Sequence, residues 1–191
     1  MSAYLDSALW ALGRGTGIVA LVVFTVSLVL GIITRSGRAA LGVGRFGVAE
    51  LHRTAALTGT ALIGLHIGTL LVDPFAQLRF VDLVVPFLGA FRPVWLGLGT
   101  LAVDLLLVIT VVSLLRHRVG PRVFRAVHWT TYALWPLALV HALGNGSDGA
   151  TLWLRAVGGV CTVSVAAALA WRGSRGYVER GRIRIPRTVP R

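Results

Sequence analysis

Residues 48–72 read VAELHRTAALTGTALIGLHIGTLLV, and residues 123–143 read VFRAVHWTTYALWPLALVHAL. Each stretch is long enough to cross a bilayer as a helix, which takes about 20 predominantly apolar residues. Each also carries two histidines, one near either end. His52 and His66 lie 14 residues apart in the first, and His128 and His141 lie 13 apart in the second. An imidazole in hydrocarbon is costly unless its nitrogens find partners, and ionisable groups inside spans are functional by default. Four of them at matching depths on two segments have the pattern of axial ligands for two stacked b-type haems. That pattern implies a path for electrons across a membrane.

The rest of the composition agrees with a membrane setting. The chain has 191 residues, of which 55% are hydrophobic and only 14% charged, where a soluble domain carries about 25%. The length suits one domain. Met1 to Trp10 lack a basic region ahead of the first apolar run, so no cleavable leader is expected. Cys161 is the only cysteine, which excludes an internal disulfide and a thiolate-held iron–sulfur cluster within this chain.

Five spans are expected, at roughly 11–34, 48–72, 94–115, 123–143 and 151–171, with a sixth or a re-entrant piece possible at 73–93. All 19 basic residues are arginine, giving a net charge of +12. They cluster at Arg35, Arg38, Arg45 and Arg53, at Arg116, Arg118, Arg122 and Arg125, and in the tail from Arg172 to Arg191. The opposite ends hold Arg14, Arg79, Arg92 and Arg155, together with Asp6, Asp73, Asp82 and Asp148. The positive-inside bias then sets the N-terminus outside and the C-terminus in the cytoplasm. It also explains the charge without nucleic acid. The expected fold class is an all-α polytopic helix bundle over residues 1–172, followed by a basic cytoplasmic tail at 173–191. That tail is too short for a flavin or nucleotide domain, since domains start near ~50 residues. A disordered end suits it better than a docking element for a partner or anionic lipid.

With that topology His52 and His128 share the inner end and His66 and His141 the outer end. Levels 13 or 14 residues apart are separated by roughly 20 Å at 1.5 Å per residue. Fourteen residues return to within about 40° of the same face, whereas thirteen miss by roughly 140°. Kinking or local tightening near Pro136 is needed to re-aim His141. Small residues around the first pair, from Thr54 to Gly68 and including Gly59 and Gly64, suit either the close approach of a flat macrocycle or ordinary helix packing. Trp129, Tyr132 and Trp135 suit either walls for the cofactor or an interfacial belt. Arg53 and Arg125 flank the inner histidines and are candidates for pairing with haem propionates, although topology explains them equally. Asp104, in the middle of the third span, is open to reading as a proton relay, a quinone contact or a partner for a buried donor. His117, between two arginines, is expected to be solvated.

Two motifs carry nothing. Gly42 to Gly47 match GxGxxG but follow a span and not a strand. Asn145-Gly146-Ser147 matches a glycosylation sequon that a Gly-rich turn explains. The connection at 73–93 holds Phe75, Phe80, Phe87 and Phe91 and is expected to lie at the interface over the outer end.

At these residues the chain resembles the ferric reductase-like transmembrane family, which includes the membrane part of ferric reductases and NADPH oxidases and the haem subunit of a bacterial methionine sulfoxide reductase system. The resemblance rests on His52 and His66, then His128 and His141, on the stretch from Arg122 through Trp129 and Tyr132 to His141, and on Val85-Pro86-Phe87 with Arg92-Pro93. It covers about residues 10–170. It implies two haems b held by the four histidines, and transmembrane electron transfer from a separate donor (a flavin reductase or quinol) to a separate acceptor. With two histidines on each iron, no coordination position is open, so outer-sphere transfer is expected. Many relatives have six spans in the core and some carry flavin and NADPH domains; five spans are read here. A membrane anchor with structural histidines and a proton-coupled transporter using Asp104 are the competing readings.

Overall fold

The protein is described by a computed structural model covering residues 2–179 apart from 41, 77 and 147. The described residues form six α-helices, α1 (Ser2–Ser36), α2 (Arg45–Val72), α3 (Pro93–Leu114), α4 (Arg116–Trp129), α5 (Thr131–Asn145) and α6 (Leu152–Gly173), with a short 3-10 turn at Phe80–Leu83. The fold class is all-α as expected, and α1, α2, α3 and α6 are each long and apolar enough to cross a membrane.

Polar residues inside these apolar helices satisfy themselves locally. Thr16, Thr25 and Thr34 each return a hydroxyl proton to the carbonyl four residues back, at 2.7, 2.8 and 2.8 Å. Such back-bonding removes the cost of an unpaired hydroxyl. α1 is the hub. It packs along the length of α2 and also touches α5 and α6, while α3 packs on α5. Leu106 and Ile109 of α3 bury with Leu134 of α5, and Trp135 of α5 buries with Cys161 and Val165 of α6. The Trp135 indole N–H donates to Thr25 Oγ1 at 2.9 Å, locking α5 to α1. Trp135 is thus a core residue and neither a belt nor a free wall. In contrast, α2 has little direct packing with α4 or α5. The two histidine-bearing segments flank a gap.

The expected span at 123–143 is built from two pieces. Gly120 (φ 79°) breaks the helix ahead of Pro121, a place where proline disfavours helical backbone in its predecessor. From there the chain is helical to Thr130, where the winding tightens: the Thr130 N–H donates to Val127 O at 3.0 Å and the Ala133 N–H to Thr130 O at 2.9 Å. The interruption therefore falls six residues before Pro136, which sits inside α5. Residues wound at the 3-10 pitch advance ~120° in place of ~100°. That turns His141 back toward the face of His128.

No sixth span forms at 73–93 among the described residues. The 3-10 turn at Phe80–Leu83 is held by Asp82, which is 3% exposed. Asp82 accepts from the Arg79 guanidinium at 2.7 and 3.0 Å and from the Arg79 backbone N–H at 3.1 Å. Its carbonyl accepts from Thr100 Oγ1 at 2.7 Å, pinning the loop to α3. Phe75, Phe80 and Phe91 are left exposed, and Phe87 lays its ring on Gly97 at a positive φ of 69°. At the far end of the described chain, Tyr177 donates to Ile32 O at 3.0 Å and Arg35 pairs with Glu179. The start of the expected tail is thereby docked on α1, and Arg180 to Arg191 lie outside the described residues.

The hydrogen bonds from Arg79 hold the Asp82 carboxyl below the usual carboxylate range, burial partly opposing them. A carboxylate depressed in the folded state adds stability above its unfolded value of about 3.9 and loses it as pH falls through the lower folded value. The melting temperature of Asp82→Asn should therefore lie below wild type by a constant amount from pH 7 to about 5 and converge on it below about pH 4. A gap that widens in acid would contradict this role.

Candidate functional site

Three of the four histidines on α2, α4 and α5 are held in the same way. His52 Nδ1 donates to Ser27 O at 2.8 Å, His66 Nδ1 to Gly13 O at 2.6 Å, and His141 Nδ1 to Trp95 O at 2.8 Å. A carbonyl oxygen can only accept, so each Nδ1 carries the proton and each Nε2 keeps its lone pair. None of these Nε2 atoms has a hydrogen bond among the described residues. A metal-binding histidine typically donates its other ring N–H in this way, which fixes the tautomer and the ring direction.

The carbonyls belong to helices, where the oxygen of residue i already accepts from the N–H of i+4. The side chain at i+4 stands beside the remaining lone pair, as the back-bonding threonines of α1 demonstrate. At all three sites that position is glycine. Ser27 is followed by Gly31, Gly13 by Gly17 and Trp95 by Gly99. A Cβ on Gly31 would stand 3.1 Å from the His52 ring, one on Gly17 2.9 Å from His66, and one on Gly99 2.5 Å from His141. The missing side chain is what lets each imidazole reach its carbonyl.

His128 differs. Its Nδ1 is buried with no hydrogen-bond partner among the described residues. A buried unmet donor or acceptor costs about 1–3 kcal/mol. The ring is held by stacking on Phe124, with ring centres 5.2 Å apart, and it faces His52 edge-on at 6.1 Å. The inner pair expected from the sequence is thus brought together across the gap between α2 and α4.

The other candidates fall elsewhere. Arg53 is exposed and only 3.9 Å from Glu50, and Arg125 is exposed. Asp104 is half-buried in α3, with no hydrogen bond or ion pair among the described residues. His117 is exposed, as expected. Trp129 and Tyr132 gather under Arg172, whose guanidinium carbon lies 4.5 and 5.4 Å from their ring centres and which donates to the Tyr132 hydroxyl. Of the α2 glycines, Gly59 meets Phe24, and Gly64 and Gly68 face open space. The small residues that matter are on α1 and α3, and the sequence reading passed over them. A signal was present. Gly17 and Gly31 are 14 residues apart, as are Gly13 and Ser27, matching His52 and His66 on an antiparallel neighbour.

Gly17→Ala and Gly99→Ala should each cost about 1–3 kcal/mol of unfolding free energy in mixed micelles, because the ring must leave its carbonyl. Gly64→Ala and Gly68→Ala meet nothing and should be neutral or stabilising by up to about 1 kcal/mol. Equal effects at all four positions would remove the steric argument.

The chain matches the family described as ferric reductase-like transmembrane component over residues 16–139. The matched stretch contains His52, His66 and His128, both glycines that seat the α2 imidazoles, and Gly99. No curated protein and no solved structure matches the chain. Four apolar spans and this match make it a multi-pass membrane protein and an oxidoreductase-family component, a family whose work is transmembrane electron transfer. The chain belongs to the ferric reductase-like transmembrane component family.

Proposed function

We propose that the protein carries electrons across the membrane through two b-type haems, one held by His52 and His128 and the other by His66 and His141. The observation that carries this reading is the fixed tautomer: three imidazoles present a bare Nε2 because a backbone carbonyl holds the opposite nitrogen. The residues fit the group. Two imidazoles sharing one metal have ring centres at most about 6 Å apart, from metal–nitrogen bonds of about 2 Å and roughly 1 Å from nitrogen to ring centre on each side. His52 and His128 stand at 6.1 Å. Two ligands per site suit a metal whose remaining positions are filled by a macrocycle; among the described residues no cluster of three or more metal-ligating side chains forms. The gap between α2 and the α4–α5 segment is where such a group would enter.

When bound, each haem supplies a one-electron iron couple. The chain's own residues do the rest. The carbonyls of Ser27, Gly13 and Trp95 orient the rings and raise their basicity as ligands. Leu106, Ile109, Leu134 and the surrounding helices keep water out of the level between the two pairs. The α4–α5 segment is read as the fifth crossing, and the arginine distribution as placing the N-terminus outside, so that the His52 end faces the cytoplasm. Electrons would arrive from a separate flavin reductase or from quinol and leave to a separate acceptor. Arg53 and Arg125, exposed at the His52 end, are available for propionates. Asp104 remains the one acidic group at mid-depth and is assigned a proton or quinone contact.

The chain purified in mild detergent should show two haems b by pyridine haemochrome. A folded, colourless protein from cells supplied with haem would overturn the reading in favour of an anchor or a transporter. Replacing His66 and His141 together by alanine should remove one haem and leave the other; retention of both would refute the pairing. Asp104→Asn should alter the pH dependence of haem reoxidation, and an unchanged profile would exclude the proton role.

A further inference from the structure

Beside the His141 level lies an open, solvent-facing cavity of about 590 Å³, whose walls include Arg92, Trp95, Val140, Leu143, Ala150 and Arg155. None of its lining residues comes from α1 or α2, and neither His66 nor His141 is among them. It is therefore separate from the gap that the histidines face. Four arginines belong to this end of the bundle. Arg14 is engaged by Asp148 and Arg79 by Asp82. Arg92 and Arg155 have no acidic partner among the described residues. Each spends one N–H on a backbone carbonyl, Arg92 on Gly144 O at 3.0 Å and Arg155 on Gly149 O at 3.2 Å. A guanidinium has five N–H donors, so most of each fork is left for a ligand.

The two guanidiniums come from different helices. Arg92 is the residue before α3 and Arg155 lies in the first turn of α6, and neither helix has a side-chain cap at its N-terminus. Two exposed guanidiniums without an acidic partner among the described residues line one hollow, and the nearest carboxylate in sequence to Arg155, Asp148, is already taken by Arg14. An oxyanion is the ligand that this field favours, and arginine forks match phosphate geometry. The remaining wall, formed by Trp95, Val140 and Leu143, is apolar and suits a hydrophobic body attached to that anion.

We propose that this cavity binds a phosphate-bearing amphiphile, with the phosphate between Arg92 and Arg155 and the apolar part against Trp95, Val140 and Leu143. Phosphate can come from a membrane phospholipid headgroup or from a soluble phosphorylated molecule, and the test separates the two. Binding does not depend on the haem assignment, because it is read by thermal stability and tryptophan fluorescence whether or not the protein is coloured.

The full chain in neutral detergent is titrated with phosphatidylglycerol in mixed micelles, with phosphatidylcholine as reference, and separately with inorganic phosphate. A saturable rise in melting temperature is expected in wild type. Arg155→Gln should weaken it at least tenfold, while Arg116→Gln, at the opposite end, should leave it unchanged. A response to phosphatidylglycerol alone assigns a lipid headgroup; a response to inorganic phosphate as well assigns a soluble source. No response to either probe, or an equal response in Arg155→Gln, overturns the proposal. Loss of half the bound haem from a coloured Arg155→Gln protein would also overturn it, by giving the arginine to the cofactor. Arg92→Gln repeats the measurement, and Arg155→Gln stands alone should the loss of the bond to Gly144 prevent that variant from folding.

Discussion

The hydrogen bond from an imidazole Nδ1 to a helix carbonyl is the contact on which the rest of this structure depends. It does three things at once. It gives a buried polar nitrogen the partner without which it would be costly in hydrocarbon. It fixes the tautomer, so that the opposite nitrogen carries a lone pair. It also sets the distance between helices, because a ring that reaches a neighbouring backbone needs a glycine beneath it. Gly17, Gly31 and Gly99 are therefore not general packing residues. Each occupies the position from which a side chain would otherwise block the carbonyl.

From this follows the division of labour among the helices. α1 serves α2 twice, through Gly13 with Gly17 and through Ser27 with Gly31, and α3 serves α5 once, through Trp95 with Gly99. The helices that offer carbonyls pack closely on those that bear histidines. The histidine-bearing helices themselves stay apart. His128 stands outside this arrangement. It is steadied by Phe124 and faces His52 with its Nδ1 unmet among the described residues. The two levels of the proposed path are consequently unequal in how firmly their imidazoles are held, and hydrogen bonding to a ligand's second nitrogen is one of the terms that tune a bound metal.

Much of this was legible in the sequence because hydropathy and periodicity are local properties. Spans near 11–34, 48–72, 94–115 and 151–171 coincide with long apolar helices, since a run of about 20 apolar residues has few alternatives to a helix. The histidines stood out because a titratable side chain in such a run is rare. The segment at 123–143 was harder. Its 13-residue spacing demanded a change of winding, and Pro136 looked like the cause. The chain tightens at Thr130 instead, where the Thr130 hydroxyl donates to Val127 O at 2.7 Å and backbone bonds shorten to the i+3 pattern. Propensity names proline as a breaker, but the site of bending depends on which hydrogen bonds the neighbouring helices leave in place.

By itself the sequence determined the membrane setting, the helical class, the four imidazoles and their spacing, because each follows from composition along one stretch of chain. The tertiary structure alone decided which carbonyl each imidazole meets, which glycines make room for it, that His128 goes without, and that Arg92 and Arg155 share one hollow. These are contacts between residues 25 to 63 positions apart. Nothing in a single segment encodes them, since they arise only when antiparallel helices come into register.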